Sequence, residues 1–454
     1  MKYIHLCRIA LAIIVLSSCG RDYLDIKPKG KVIPSAYKDY RLLLNNAYTL
    51  PTSYGSDEWL TDDVEFYDPI GLTYLGNSTF KLHTWQNNAY VSSDEDKMWN
   101  DLYKQVYLAN VVLDGMKTVT DGAETERNQV TGEALVHRAF AYFSLVNLYG
   151  AQYDATTASK DLGVPLILTP TTNQKLNRAS VQAVYDQVLA DLNLAVTLLD
   201  KTSTSYFEPS LASAYAVLAR VSLATGKYQD AMKAANGSLA IRNKLTDYNQ
   251  FANNHTSFPI NSANPETLLM KLADNSYSWF AVSKDLQAAF KDSLNDLRYQ
   301  ILFTSTTDPM SGYLYYNGEF LSFDSRNLGP TVAEMYLVKA ECEARSGDAN
   351  AAMNDMNAVR QARILKAAYQ PVTAVSPDDA LVKVLGERRR ELCFRGMRLF
   401  DLKRLNKDPK FAKTLHHSYN GKQYDIQPNS PMYLFPIAPK LRQLNPELEP
   451  NEHL

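Results

Sequence analysis

The chain has 454 residues, 45% hydrophobic and 21% charged, which allows a large core or two to three lobes. A formal net charge of −2 at pH 7 leaves no basic surplus, which argues against nucleic acid as a partner. Four cysteines without zinc-site spacing argue against a zinc module; Cys342 and Cys393 fall in helical patterns, where a cysteine is a small buried hydrophobe.

Residues 1–18 carry Lys2 and Arg8 and then an apolar run from Ile9 to Leu16, too short to stay in a bilayer as a spanning helix. This is a secretory signal pattern, and Leu16-Ser17-Ser18-Cys19 resembles the bacterial lipoprotein signal. That resemblance implies cleavage before Cys19 and acylation of its thiol, with two or three acyl chains sufficient for stable anchoring. Residues 19–35, with Pro28 and Gly30, read as anchor and tether, and residues 36–454 as the body.

Residues 36–50 place Tyr40, Leu43, Leu44 and Ala47 at helical spacing. Residues 51–93 are then broken by Pro51, Gly55, Pro69, Gly71 and Gly76. Trp59, Phe66, Tyr67, Tyr74, Phe80 and Trp85 crowd this span, together with Asp57, Glu58, Asp62, Asp63, Glu65 and Asp68. Such a segment either presents a ligand surface or tucks its aromatics into the body. Trp99, Tyr103, Val106, Asn110 and Leu113 form one helical stripe, which assigns Trp99 to the core. A further helix is expected over Glu133 to Tyr149, ending at Gly150, then a loop over 151–177 with an apolar patch at Gly163 to Ile167. Ser180 is placed to cap a helix whose buried side is Val181, Val184, Val188, Leu192, Ala195 and Leu199.

Two helix pairs follow tetratricopeptide spacing. Tyr215, Leu218 and Ala219 precede Gly226, with Ala231, Ala235 and Ser238 after it; Tyr336 and Ala340 precede Gly347, with Ala352, Met356 and Val359 after it. The helical scaffold is expected over about 97–240 and 331–405, and loop-rich regions over about 51–93 and 245–330. The second loop-rich region clusters Tyr277, Trp279, Phe280, Tyr313, Tyr315, Tyr316, Phe320 and Phe323, with a short hairpin expected within Gly312 to Phe323. One helix is expected over Ala380 to Leu405, followed by a Pro- and Asn-rich tail.

Six pieces of the chain have a familiar order. They are Cys19 with Tyr23-Leu24-Asp25; Trp99 through Tyr103 to Asn110; Arg138 to Phe143 with Leu148-Tyr149-Gly150 and Gly163 to Leu166; and Val181 to Leu199. Tyr336-Leu337 with Lys339-Ala340-Glu341 and Asn357 to Arg360 follow, and then Glu387 to Leu392 with Phe394, Gly396, Arg398 and Phe400 to Arg404. Together they resemble the SusD/RagB family of outer-membrane lipoproteins, although Cys393 stands where that family more often has alanine. The resemblance implies a mainly α, SusD-like fold with tetratricopeptide-type helix pairs, anchored on the outer membrane and facing the cell exterior. It further implies capture of an oligomeric nutrient, handed to a SusC-like TonB-dependent transporter, with no reaction catalysed.

Within the last piece, Glu387, Arg388 and Glu391 lie at helical pairing distances, so its charges read as internal ion pairs rather than a phosphate site. Adjacent acid pairs such as Asp62-Asp63 do not make a glycosidase, and His416-His417 lacks metalloprotease spacing. Sugars need flat aromatic faces and planar polar groups. The ligand-binding candidates are therefore Trp59, Asp63, Tyr67, Tyr74 and Trp85 from the first loop-rich region, with Tyr277, Trp279, Tyr313 and Tyr315 from the second. An oligosaccharide is the expected ligand; peptide binding on the same architecture, or a protein-only assembly role, are the alternatives. No cofactor is expected, and the acid-rich loops leave room for a structural calcium ion.

Overall fold

Helices that are consecutive in this chain largely pack on one another. The computed structural model describes residues 34–66, 71–171, 173–273, 280–291, 294–305, 312–316 and 325–451. The proposed lipidation site Cys19 and the candidates Tyr67, Tyr277 and Trp279 lie outside the described residues. The helices are α1 (Tyr37–Leu44), α2 (Gly71–His83), α3 (Lys97–Gly115), α4 (Glu124–Tyr149), α5 (Val181–Leu198), α6 (Leu211–Ala224) and α7 (Tyr228–Ile241). There follow the short α8 (Lys284–Ala289) and α9 (Leu297–Leu302), then α10 (Val332–Ser346), α11 (Ala349–Gln361), α12 (Pro377–Leu392), α13 (Arg398–Leu405) and α14 (Pro439–Leu444). The strands are β1 (Val64–Glu65), β2 (Leu162–Pro165), β3 (Arg178–Ser180), β4 (Ala281–Val282), β5 (Phe303–Ser305), β6 (Leu314–Tyr316), β7 (Leu415–Tyr419) and β8 (Lys422–Ile426).

The fold is mainly α. Helix α3 lies on α4, α4 on α5, α5 on α6, α6 on α7, α7 on α10, and α10 on both α11 and α12. In helix α4 every residue from Gly132 to Tyr149 is buried, so this stretch has no solvent face. It starts at Glu124 rather than Glu133, because its first turns are polar and carry no apolar stripe for the eye to follow. Ser180 caps α5 as expected, its hydroxyl accepting from Ala183 N at 3.1 Å. In the first tetratricopeptide-type pair, Ala231 and Ala235 of α7 are fully buried, and Ser238 donates to Ala212 O of α6 at 2.8 Å. In the second pair, Ala340, Ala352, Met356 and Val359 are buried in the same way. Arg220 of α6 and Glu334 of α10 join the pairs by a doubly hydrogen-bonded ion pair at 2.7 Å.

Several expected elements differ. The helix expected over Ala380 to Leu405 is two, α12 and α13, separated where Phe394 (φ +59°) and Gly396 (φ +67°) take left-handed conformations. A Cβ on Gly396 would sit 2.7 Å from the Tyr54 ring, so this turn accepts only glycine without moving a neighbour. The first loop-rich region contains α2, with a helical break at Gly76, and the 151–177 loop contains β2, which pairs antiparallel with β3. The described part of the expected 312–323 hairpin, β6, pairs instead with β5 and β4. The supposed tail holds a true hairpin: β7 and β8 pair from Leu415↔Ile426 to Tyr419↔Lys422 around Asn420 (φ +51°) and Gly421 (φ +73°). Cys342 and Cys393 are both buried and unbridged.

The sheet ordered β1-β4-β6-β5 decides what the loop-rich regions do, because it joins them. Val64 of the first region pairs with Val282 of the second, and Ala281 pairs with Tyr315. Beneath it lies a largely aromatic core cluster that includes Trp59, Phe66, Phe280, Phe303, Tyr316 and Phe394.

Candidate functional site

Where β1, the start of α8 and β7 converge, the surface opens into a groove of about 500 Å³. One wall comes from Asp62, Glu65 and Phe66, a second from Ser283, Lys284, Asp285 and Tyr313, and a third from Lys413 to Ser418. The first two walls are the loop-rich regions joined by the sheet; the third is the C-terminal hairpin and its lead-in. The rim is polar and charged, with Lys284, Asp285 and His416 exposed and Tyr313 half-buried.

Arginines of the distinctive C-terminal motif fasten these walls from below. Arg389 of α12 reaches Asp63 and Asp285 at 2.8 Å each, so a single guanidinium ties the first wall to the second. Arg398 of α13 takes both oxygens of Asp62, at 2.7 and 2.9 Å, and Lys413 adds a contact at 2.5 Å that brings in the third wall. Burial alone would raise the Asp62 carboxyl, but Arg398 and Arg389 overrule it and hold it well below the usual carboxylate range. Asp63 ends on the other side: burial raises it despite Arg389. Glu58, fully buried beside Asp57, is pushed up well above the ordinary range and so favours its protonated form.

The other charges of the motif are paired as well. Glu391 binds Arg298 and Arg363, Arg388 binds Asp401, and Arg404 holds both oxygens of Glu341. The expectation of ion pairing holds: Glu387–Arg390 and Asp401–Arg404 pair within one helix, and Arg388–Asp401 joins α12 to α13. Glu391 and Arg404 tie these two helices to other elements.

Sequence and fold comparisons agree with this architecture. Residues 22–223 match a family model described as starch-binding associating with outer membrane, and residues 332–453 match the SusD family model. The chain belongs to the SusD/RagB family. Residues 224–331, which hold the second loop-rich region, fall between the two matches. SusD-like protein P38 of Formosa agariphila is 23% identical, over 88% of this chain and 90% of that protein. A putative sugar binding protein from Bacteroides vulgatus superposes with a TM-score of 0.73 at 20% identity, covering 93% of this chain and all of that one. A laminarin binding SusD-like protein superposes with a TM-score of 0.67 at 19% identity, again over 93% of this chain and all of that one.

Against the SusD-like fold the candidate ligand residues divide. Tyr313 lies on the groove. Tyr74 is on α2. Trp59 is 5% exposed and packed among Phe66, His83 and Phe280, so its indole offers no face to a sugar here. Trp85 is 8% exposed, donates its Nε1–H to Leu60 O at 3.3 Å and stacks on His417. Asp63 has no exposed surface and serves Arg389, while Tyr315 is buried in β6, paired on both edges. These four are corrections: the packing alternative wins for Trp59, Trp85 and Tyr315, and ion pairing wins for Asp63. Sequence reasoning missed Lys284, Asp285, Lys413 and His416. Alternation on both sides of Asn420-Gly421 was the signal that would have found the hairpin wall.

Among the described residues no group of three His, Cys, Asp or Glu side chains is placed to hold a metal ion. Asp62 and Asp63 are paired with arginines. No described helix is long and apolar enough to cross a membrane.

Proposed function

We propose that this SusD-family chain captures an oligosaccharide in the groove between its two loop-rich regions and its C-terminal hairpin. The observation that carries the reading is the joint construction of the groove: its first two walls, distant in sequence, are joined by one sheet and bridged by Arg389, and Lys413 ties the third wall to Asp62. A rim of exposed lysine, carboxylate and imidazole beside a half-buried tyrosine suits a hydroxyl-rich ligand, which needs planar hydrogen-bonding groups and one flat apolar face. Laminarin binding by a structural neighbour supports the glycan class. Acylation at Cys19 would hold the protein on the outer membrane facing the exterior, where the ligand passes to a SusC-like TonB-dependent transporter. The chain binds and delivers; it does not catalyse.

Isothermal titration of the full chain against panels of oligosaccharides and peptides tests the reading. Saturable heat with one glycan class, lost in Tyr313→Ala while the melting temperature stays, is the expected result. Heat with peptides alone would move the ligand to the peptide class, and binding unaffected by Tyr313→Ala would remove the groove from the proposal.

A further inference from the structure

Three rings are stacked under the hairpin wall. Trp85, His417 and His83 lie with ring centroids 4.1 and 3.8 Å apart and planes 20° and 10° from parallel. The middle ring, His417, has both nitrogens against backbone carbonyls: Nδ1 is 2.6 Å from His83 O, and Nε2 is 3.0 Å from Thr61 O. A carbonyl oxygen only accepts, so each nitrogen has to bring a proton, and a neutral imidazole has one. Turning the ring over gives no escape, because a carbon would then sit 2.6 Å from an oxygen, far inside the 3.3–3.6 Å of even a good C–H···O contact. His83 is already accounted for, its Nδ1 facing Trp59 O at 3.0 Å.

We propose that His417 is a positioning residue which, as a doubly protonated imidazolium, clamps the end of α2 to the Thr61-Asp62 wall, so that one proton sets the width of the groove. The two carbonyls belong to different segments: His83 ends α2, and Thr61 immediately precedes the groove residue Asp62. Cation and indole face each other in the stack, an arrangement that favours the charged ring.

The surrounding charges are specific. From the first wall, the Asp62 carboxylate attracts the imidazolium. Lys413, in the lead-in to β7, is occupied by Asp62, and His416 on the same strand is 2.8 Å from Asp425 of β8. Tyr424 is the cross-strand partner of His417, and α2 presents His83, which burial keeps neutral. Burial pulls His417 itself below the ordinary histidine range, against the two carbonyls and Asp62. Below that point both bonds are made. Above it one carbonyl meets a bare lone pair, and that wall is pushed away.

The clamp concerns the proton and the walls, and rests on the oligosaccharide reading only for its consequence; the test therefore reads the proton directly. The full chain, with ¹⁵N in its histidine rings, is titrated from about pH 5 to 8, the range in which histidine charge changes. The His417 signals are identified by their loss in His417→Gln or, if that variant does not fold, by elimination through His416→Gln and the other histidines. The expected result is two protonated nitrogens at the acid end, one of them losing its proton as pH rises. Trp85 fluorescence, taken as the difference from Trp85→Phe, should change at the same midpoint. A single-proton tautomer throughout the range would overturn the proposal, and so would a titration to which Trp85 is blind. A groove that binds no glycan would overturn the proposed function and leave the clamp standing.

Discussion

Replacing Arg389 by methionine tests whether the groove walls are fastened by charge. Arg389 is 12% exposed, and its removal strips Asp63, which has no exposed surface, of its close partner. The nearest remaining cation, Arg398, is 3.8 Å from Asp63 and already committed to Asp62. Breaking a buried pair from one side costs about 3–5 kcal/mol, because the surviving charge stays desolvated. The Asp285 arm adds little, about 0–1 kcal/mol, since that carboxylate is 58% exposed and water replaces the lost partner. Arg389→Met should therefore cost about 3–5 kcal/mol in urea unfolding at neutral pH. Adding Asp63→Asn should return most of that loss by removing the orphaned charge. Acid should also narrow the deficit. Burial already raises Asp63, so in the variant its folded pKa lies further above the unfolded value, and the loss fades as pH falls through the folded pKa toward the unfolded one. A loss under about 1 kcal/mol at neutral pH, or no rescue by Asp63→Asn, would refute the reasoning.

Four further substitutions have expected outcomes. Lys403 is buried with its ammonium on the carbonyls of Asn147 and Gly150, at the carboxyl end of α4, and burial lowers it to about 7. Lys403→Met should cost about 1–3 kcal/mol for each carbonyl left unpaired. The unfolded lysine keeps its proton to about pH 10, so the native protein gains stability with rising pH between about 7 and 10, and the variant should lose that slope in pH-dependent denaturation. Tyr313→Ala should weaken oligosaccharide binding about tenfold in titration calorimetry at an unchanged melting temperature. Trp85→Ala should instead lower stability by about 3–5 kcal/mol, as loss of a core ring does, and so cannot serve as a clean ligand probe. Gly396→Ala should destabilise by about 1–3 kcal/mol, since φ is +67° and the new Cβ meets the Tyr54 ring; equal stability by thermal melting would refute that account.

What the sequence made legible follows from periodicity. Helices with one apolar face, such as α3 and α5, announce themselves, and so do pairs whose small residues sit at fixed distances from a turn glycine, as in α6–α7 and α10–α11. The polar start of α4 and the left-handed break at Phe394 and Gly396 carry no such rhythm. The candidate site was legible as regions and largely illegible as residues. An aromatic in a loop-rich segment looks the same whether it faces ligand or core: Trp59 packs into the aromatic cluster under the sheet, Trp85 into the main helical core, and Tyr315 against Ala281 across the sheet. Asp63 was read as a ligand group because its partner, Arg389, lies more than three hundred positions away and only the fold brings them together.

The fastening of the groove walls by guanidinium–carboxylate bridges bears on how such a surface can change. A wall held by an apolar plug must keep the shape of the plug, and most of its length is then constrained by packing. A wall held by one carboxylate in a guanidinium fork needs that carboxylate and a few residues around it. The remainder of its sequence can lengthen, shorten or exchange side chains while α12 and α13 stay as they are. One helical frame can thus carry many differently furnished grooves, each attached at the same points.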